Sequence, residues 1–136
     1  MDRRRVLADT SLFVQHLRAR DKTATSLYHL TRRHQVETCA VVLAEILYGA
    51  RSPEAEAQAW CAVRPYPIHS FTLEMAARQP ALVRKLTRAN RLPDIRDLMI
   101  AVTALELGLP IATFNRQHFQ TIPEIVLLDV SQATHL

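Results

Sequence analysis

The chain has 136 residues, 49% of them hydrophobic, which fits one domain over residues 1–136 with a core of its own. Seventeen Lys and Arg against thirteen Asp and Glu give a net charge of +4, a mild bias towards a polyanionic partner. Two glycines, Gly49 and Gly108, cannot build a Gly-rich phosphate loop, and the isolated Cys39 and Cys61 fit neither a disulfide framework nor a zinc site. No uncharged run reaches the roughly 18 residues of a membrane span, so we expect a cytoplasmic protein.

Short apolar runs alternate with amphipathic segments along the chain. The pattern predicts buried strands or edge strands at Val6–Ala8, 36–39, 65–69, 111–114 and 126–128. It predicts helices from about Leu12, over 21–33, 41–51, 54–63 and 72–89, and from about Asp94 to Gly108. Pro80 is expected to bend or divide the fifth of these helices, and residues 116–118 to form a turn. This order predicts an α/β domain, with a mainly parallel sheet of four to five strands and helices on both faces.

The last long helix places an acid in an apolar setting. Asp97, Ala101, Ala104 and Gly108 share one side of that helix, and a row of small residues packs closely against a sheet. The row therefore carries the Asp97 carboxylate towards the core, where a charge needs a cation or N–H donors. Asp94 precedes it at a spacing typical of a helix N-cap, and a capping role for Asp97 itself stays open.

Asp9 stands where the first strand turns into a helix. In a parallel sheet this junction belongs to the ligand-binding edge beyond the strand carboxyl ends, although Asp9 could also serve as a cap, as could Thr10 and Ser11. If Asp9 and Asp97 reach the same edge, their repulsion favours a hard divalent ion such as Mg²⁺ or Mn²⁺. Such an ion polarises a phosphoryl oxygen and activates water, which predicts phosphodiester hydrolysis. By periodicity alone, Glu45 lies off the apolar arc of its helix and is expected to be exposed.

Taken together and in order, several segments resemble the PIN-domain nucleases, and within them the VapC-type toxins of bacterial toxin–antitoxin pairs. The resemblance spans nearly the whole chain. It rests on Val6–Ser11, Val42–Ala50, Asp97–Ala104, Gly108–Pro110, Thr113–Asn115 and His118–Phe119.

This resemblance implies a single PIN-like domain that cleaves RNA with Mg²⁺ or Mn²⁺, a cognate antitoxin and a homodimer. It implies that Asp9, Glu45 and Asp97 are the catalytic and metal-binding acids, with Thr10 or Ser11 in support. For Glu45 the resemblance is the only argument. Because about half of the residues are apolar, a partner surface is expected among residues 21–33 and 54–63.

The chain departs from the family pattern after the fourth strand. Relatives often carry a further Asp there, whereas this chain has Asn115 and His118. Asn can orient a metal-bound water but brings no charge, so we expect one tightly held ion, with Asp94 as a further supporting candidate. The neutral Asn115 keeps an alternative open, a catalytically weak PIN-fold module that binds nucleic acid or regulates. A receiver-type phosphoacceptor using Asp9 fits poorly, because the chain has no acidic pair at the first strand and no suitable Lys near the last.

Overall fold

The computed structural model of the chain describes residues 3–130, so the polar C-terminal end lies outside the described residues. Within this range the strands form one parallel sheet, in the order β3-β2-β1-β4-β5. The strands are β1 Arg5–Ala8, β2 Gln35–Cys39, β3 Ile68–His69, β4 Ile111–Ala112 and β5 Leu127–Leu128. The predicted α/β class and parallel sheet are confirmed.

Helices connect the strands, as the crossovers of a parallel sheet require. They are α1 Thr10–Arg18, α2 Ser26–Thr31, α3 Ala40–Tyr48, α4 Pro53–Val63, α5 Leu73–Arg88, α6 Ile95–Leu107 and α7 Arg116–Phe119. Helix α1 packs against α2, α3 and α4, whereas α5 packs against α6. Across residues 3–130, none of these helices combines the length and the apolar character that crossing a membrane would require.

Strand β1 lies at the centre of the sheet and of the core. Val6, Leu7 and Ala8 are fully buried because β1 has a strand on each side and helices over it. Leu7 and Ala8 pair in register with Ile111 and Ala112 of β4. The carboxyl ends of β1 and β4 therefore meet, and the residues that follow each strand are brought together there.

The helix predicted over residues 21–33 is shorter than expected. Helix α2 begins only at Ser26, because polar side chains satisfy the backbone before it. The Asp21 carboxylate accepts hydrogen bonds from the backbone N–H and the hydroxyl of Thr23, and the Thr25 hydroxyl accepts from the N–H of Tyr28. These local hydrogen bonds form a turn and an N-cap in place of the first helical turns.

Pro80 is expected from the sequence to bend or divide its helix, and it does not divide it. Helix α5 runs without a break from Leu73 to Arg88 with Pro80 inside it. Met75 on one side of the proline and Leu86 on the other are both buried, so packing holds the two halves in one helix. This packing offsets the hydrogen bond that Pro80 cannot donate.

The chain around β4 also differs from the prediction. The strand expected to reach Phe114 ends at Ala112, and the turn expected over residues 116–118 is the short helix α7. Thr113 directly follows β4, and its hydroxyl bonds to Asp9 across the edge of the sheet, as described below. Of the two cysteines, Cys39 is buried and Cys61 is exposed.

Candidate active site

Asp9 is the N-cap of α1 and directly follows the central strand. It is only 4% exposed, yet both of its carboxylate oxygens are satisfied. Its Oδ1 accepts from the backbone N–H of Ser11 at 3.0 Å and from the Ser11 hydroxyl at 2.6 Å. Its Oδ2 accepts from the hydroxyl of Thr113 at 2.7 Å. Asp9 is thus both the expected helix cap and a buried carboxylate held in a fixed orientation.

The pKa of Asp9 is raised above its usual value. Burial is the main cause, because it disfavours the charged carboxylate, and the negative charge of Glu45 adds to it. The hydrogen bonds from Ser11 and Thr113 act in the opposite direction and favour the carboxylate. Asp9 therefore combines the cost of burial with donors that hold its charged form.

Asp97 lies in the first turn of α6 and is half-buried. Its Oδ2 is 3.3 Å from Nδ1 of His118, which comes from α7. Burial raises the pKa of Asp97 most, His118 lowers it, and the negative charges of Asp94, Glu45 and Asp9 raise it further. The expected repulsion among the acids is present, but burial is the larger effect.

Asp94 caps helix α6, as its spacing predicts. Its Oδ1 accepts from the backbone N–H of Arg96 at 2.8 Å and from Nε of the same residue at 3.0 Å. These hydrogen bonds lower the pKa of Asp94. Its carboxylate is committed to the helix N-terminus and to one guanidinium group.

Glu45 extends from α3 into the same region. Its Oε1 accepts from the Thr10 hydroxyl at 2.9 Å, and its Oε2 is 3.7 Å from Nη1 of Arg96. The side chain is 22% exposed, so the expectation from periodicity that Glu45 is solvent-exposed is wrong. Periodicity fails here because it describes how α3 meets the core, whereas Glu45 points along the edge of the sheet towards α1 and α6.

All of these acids line one cleft of about 870 Å³ at the carboxyl edge of the sheet. Every residue that the sequence singles out for the site contributes to its wall, together with His118 and two arginines that the sequence analysis does not single out, Arg18 and Arg96. The predicted residues are Asp9, Thr10, Ser11, Glu45, Asp94, Asp97 and Asn115.

The profile of the PIN domain family matches residues 6–125. The chain belongs to the PIN domain family. The matched range begins in β1 and ends after α7, so it contains every residue of the cleft.

Among proteins similar to this PIN domain are two ribonucleases of Mycobacterium tuberculosis. Ribonuclease VapC19 is 28% identical over 121 residues, covering 88% of this chain and 95% of that protein. Ribonuclease VapC10 is 24% identical over 120 residues, covering 88% of this chain and 90% of that protein. The similarity extends over nearly the full length of both relatives.

Solved structures with the same fold come from toxin–antitoxin complexes. A DNA-bound VapBC from Salmonella typhimurium matches with a TM-score of 0.76 and 20% identity, covering 96% of this chain and 99% of that chain. VapBC2 from Rickettsia felis, bound to a DNA fragment from the promoter, matches with a TM-score of 0.75 and 20% identity. The match covers 91% of this chain and 97% of that chain. At this identity the likeness shows the fold of this PIN domain.

Thr113 is a site residue of this PIN domain that the sequence analysis places in a strand. It is fully buried, donates to Asp9 and accepts from the N–H of Asn115 at 2.9 Å. The Ser11 hydroxyl in turn accepts from the N–H of Phe114 at 3.0 Å, so hydroxyls from both strand ends tie the two loops together. The sequence signal that could identify Thr113 is a hydroxyl residue at the end of a strand predicted to lie beside the strand that precedes Asp9.

The donors of this PIN domain suit a hard divalent cation. Among residues 3–130, no three Asp, Glu, His or Cys side chains lie close enough together to hold one ion between them. Mg²⁺, however, is commonly held by one or two carboxylates, with waters and substrate phosphates completing its shell. Asp9 and Asp97 supply two such carboxylates, and Oδ2 of Asp9, which accepts one hydrogen bond, keeps a second lone pair. Glu45 adds a third carboxylate to the same cleft, with its Oε1 bonded to Thr10 and its Oε2 3.7 Å from Nη1 of Arg96.

Proposed function

We propose that this protein is an endoribonuclease, the toxin of a toxin–antitoxin pair, that hydrolyses RNA phosphodiester bonds in the cytoplasm. The observation that carries the proposal is the acidic cleft at the carboxyl edge of a PIN-domain sheet, with Asp9, Glu45 and Asp97 in its wall. Relatives named as ribonucleases, aligned over 88% of the chain, support RNA as the substrate.

We propose that Asp9 and Asp97 would hold one Mg²⁺ or Mn²⁺ ion. Such an ion, when bound, polarises a phosphoryl oxygen and lowers the pKa of a water that attacks phosphorus. The donor chemistry supports this assignment, because both side chains offer carboxylate oxygens to the same cleft. Asn115 has a neutral amide, whereas a carboxylate at this position would add a negative charge and favour a second ion. The neutral side chain therefore fits a single ion.

The other residues of the cleft act by orienting these carboxylates. Ser11 and Thr113 fix the two oxygens of Asp9, so its carboxylate does not have to order when substrate binds. Thr10 holds Glu45, and His118 lies against Asp97. Glu45 keeps its predicted role as a metal ligand in this proposal, because its Oε1 accepts one hydrogen bond and its Oε2, 3.7 Å from Arg96, accepts none from the described residues.

We propose a cognate antitoxin as the protein partner, supported by the toxin–antitoxin complexes that share this fold. Of the two segments expected to form a partner surface, 54–63 supplies more of the wall of one surface groove than 21–33 does. A groove of about 510 Å³ lies between α1 and α4, and residues 57, 58, 61 and 62 form its α4 side. Two of the most exposed large apolar side chains, Tyr48 and Leu73, lie outside both segments. A homodimer stays part of the proposal, and these side chains are candidates for its contact.

The experiment is RNA cleavage by the purified protein with Mg²⁺, with Mn²⁺ and with EDTA. We expect cleavage with either ion and none with EDTA, and the same RNAs should stay intact with Asp97→Asn. Binding of RNA without cleavage under all three conditions would instead favour the catalytically weak nucleic-acid-binding module. A protein that neither binds nor cleaves RNA under any of these conditions would overturn the proposal.

A further inference from the structure

The cleft is lined by more acidic than basic side chains. Four carboxylates line it, those of Asp9, Glu45, Asp94 and Asp97, against two guanidinium groups. A polyanion that enters such a cleft needs cations placed along its backbone, because each phosphate carries a negative charge. Arg18 and Arg96 are therefore the candidates for binding a phosphate of the RNA in this cleft.

Arg96 is already occupied by acids of the protein. Its Nε bonds to Asp94 at 3.0 Å, and its Nη1 lies 3.7 Å from Glu45. A phosphate that bound Arg96 would have to compete with both carboxylates. The Arg96 charge therefore serves mainly to offset the acids around it.

Arg18 is not engaged in this way. In the described part of the chain its guanidinium forms no hydrogen bond or ion pair, and its side chain is exposed. The last residue of a helix can stabilise the unpaired carbonyls there, but Lys22 already does so, donating to the carbonyls of His16 and Leu17 at 2.7 and 3.0 Å. Lys22, and not Arg18, therefore caps the C-terminal end of α1.

The geometry of α1 directs Arg18 to the cleft. Thr10, Val14 and Arg18 follow one another at intervals of four residues, which places them on one face of the helix, and all three line the cleft. Side chains in a helix lean towards its N-terminus, so Arg18 leans back along the row that leads to Thr10. Helix α1 thereby forms a wall with Asp9 at one end and a free cation at the other.

The separation along α1 defines which phosphate Arg18 reaches. Arg18 lies nine positions after the Asp9 cap, a rise of about 13 Å along the helix axis. Even with Arg18 leaning back along the helix, this rise favours a different phosphate from the one held beside Asp9. We propose that Arg18 binds a backbone phosphate of the RNA that neighbours the cleaved one, and so sets how the strand lies in the cleft. This inference rests on the proposed ribonuclease function.

The test compares Arg18→Gln with Arg20→Gln. Both variants lose one positive charge from an exposed side chain, but Arg20 lies in the loop after α1 and outside the cleft wall. For Arg18→Gln we expect KM for RNA to rise about tenfold with kcat nearly unchanged, because only substrate binding loses a contact. Arg20→Gln should behave like the parent, and Arg18→Lys should keep most of the affinity, because it retains the charge.

A second measurement separates binding from cleavage. In an Asp97→Asn background with EDTA, fluorescence anisotropy of a labelled oligoribonucleotide is followed from about 50 to 200 mM KCl. Adding Arg18→Gln should reduce the slope of log K against log salt by about one, the loss of a single phosphate contact, whereas adding Arg20→Gln should not.

Equal KM values and equal salt slopes for the two variants would overturn the role of Arg18 while leaving the ribonuclease proposal intact. A fall in kcat for Arg18→Gln at constant KM would also overturn it, because the residue would then act on the reaction instead of on binding. A parent protein that neither cleaves nor binds RNA would overturn both proposals together.

Discussion

The hydroxyl of Thr113 donates a 2.7 Å hydrogen bond to Oδ2 of Asp9, a residue 104 positions earlier in the chain. Both residues are buried, and each directly follows a strand, β4 for Thr113 and β1 for Asp9. The contact therefore exists because β1 and β4 are neighbours in the sheet. It fixes one oxygen of the carboxylate to which we assign the metal.

Replacing Thr113 by Val should therefore impair both activity and stability. Valine keeps the shape and removes the donor, so one oxygen of a buried carboxylate loses its partner. We expect RNA cleavage to fall about tenfold or more and unfolding free energy to fall by about 1–3 kcal/mol. Thr113→Ser keeps the hydroxyl and should restore most of the cleavage. Urea unfolding and cleavage rates measure the two effects, and a fully active Thr113→Val would contradict this role.

Asp9→Asn and Asp97→Asn should each reduce RNA cleavage by at least about two orders of magnitude, as the loss of a metal ligand does. The substitutions preserve size and remove one negative charge from the cleft. Circular dichroism checks that each variant is folded. Cleavage near the parent rate by either folded variant would show that the metal site has been placed wrongly.

The raised pKa of Asp97 predicts how pH and metal act on stability. Because its folded pKa lies above its unfolded value, the folded state binds the proton more tightly. The contribution of Asp97 to stability is therefore largest at low pH. It falls as pH rises through the interval between the unfolded and folded pKa values, and it stays reduced above that interval. Acidifying the metal-free protein towards that interval should raise its melting temperature.

A divalent cation should have the same effect by binding the folded state, by about 2.7 kcal/mol at a hundredfold excess over Kd. Asp97→Asn should melt higher than the parent in EDTA and gain much less from Mn²⁺. Thermal melting of both proteins in EDTA and in Mn²⁺ measures this. A parent without any shift in Mn²⁺, together with a variant that melts lower in EDTA, would make Asp97 a structural residue of α6.

A second acid, remote from the cleft wall, should respond to pH in the opposite direction. Glu37 on β2 is buried, and its carboxylate binds Arg5 through two hydrogen bonds and His69 Nε2 at 2.6 Å. The hydrogen bond from Arg5 is the largest cause of its lowered pKa. Its contribution to stability is thus present above the ordinary pKa of Glu and is lost as pH falls through the lower, folded value.

Glu37→Gln should cost about 2 kcal/mol of unfolding free energy at neutral pH, because the buried side chain loses charge-assisted hydrogen bonds. Glu106→Gln is the matched control. Its partner Arg78 and Glu106 itself are both about 40% exposed, so breaking that pair should cost less than about 1 kcal/mol. Urea unfolding of both variants at neutral pH makes the comparison, and equal losses would count against a structural role for Glu37.

Much of the site follows from local sequence, and the exceptions have physical causes. Asp9 and Asp94 can be predicted because strand ends and helix caps are local features. Glu45 cannot, because periodicity reports how α3 meets the core and says nothing about α1 and α6 at its other side. For Glu45 the family resemblance supplied what periodicity could not. Arg18 is similarly hidden, since its role depends on the cleft beside its helix face.

Two errors in the fold have different origins. The apolar pattern over residues 21–33 favours a helix, but Asp21 and Thr25 compete for the backbone through their side chains. Pro80 opposes a helix locally, yet the packing of Met75 and Leu86 keeps α5 whole. In the first case local hydrogen bonds prevail over periodicity, and in the second tertiary packing prevails over local propensity.

The central place of β1 in the sheet also bears on the synthesis of the chain. Asp9, which follows β1, is synthesised well before the neighbouring strand β4, and the hydroxyl of Thr113 comes 104 residues later, which delays their contact. At roughly 5–20 residues per second, this delay amounts to about 5–20 s. Until then the nascent chain has Asp9 without α6 and β4 beside it, so the cleft is incomplete while these elements are still being made. The position of β4 along the chain thereby postpones the proposed RNA cleavage until residues 95–113 have been synthesised.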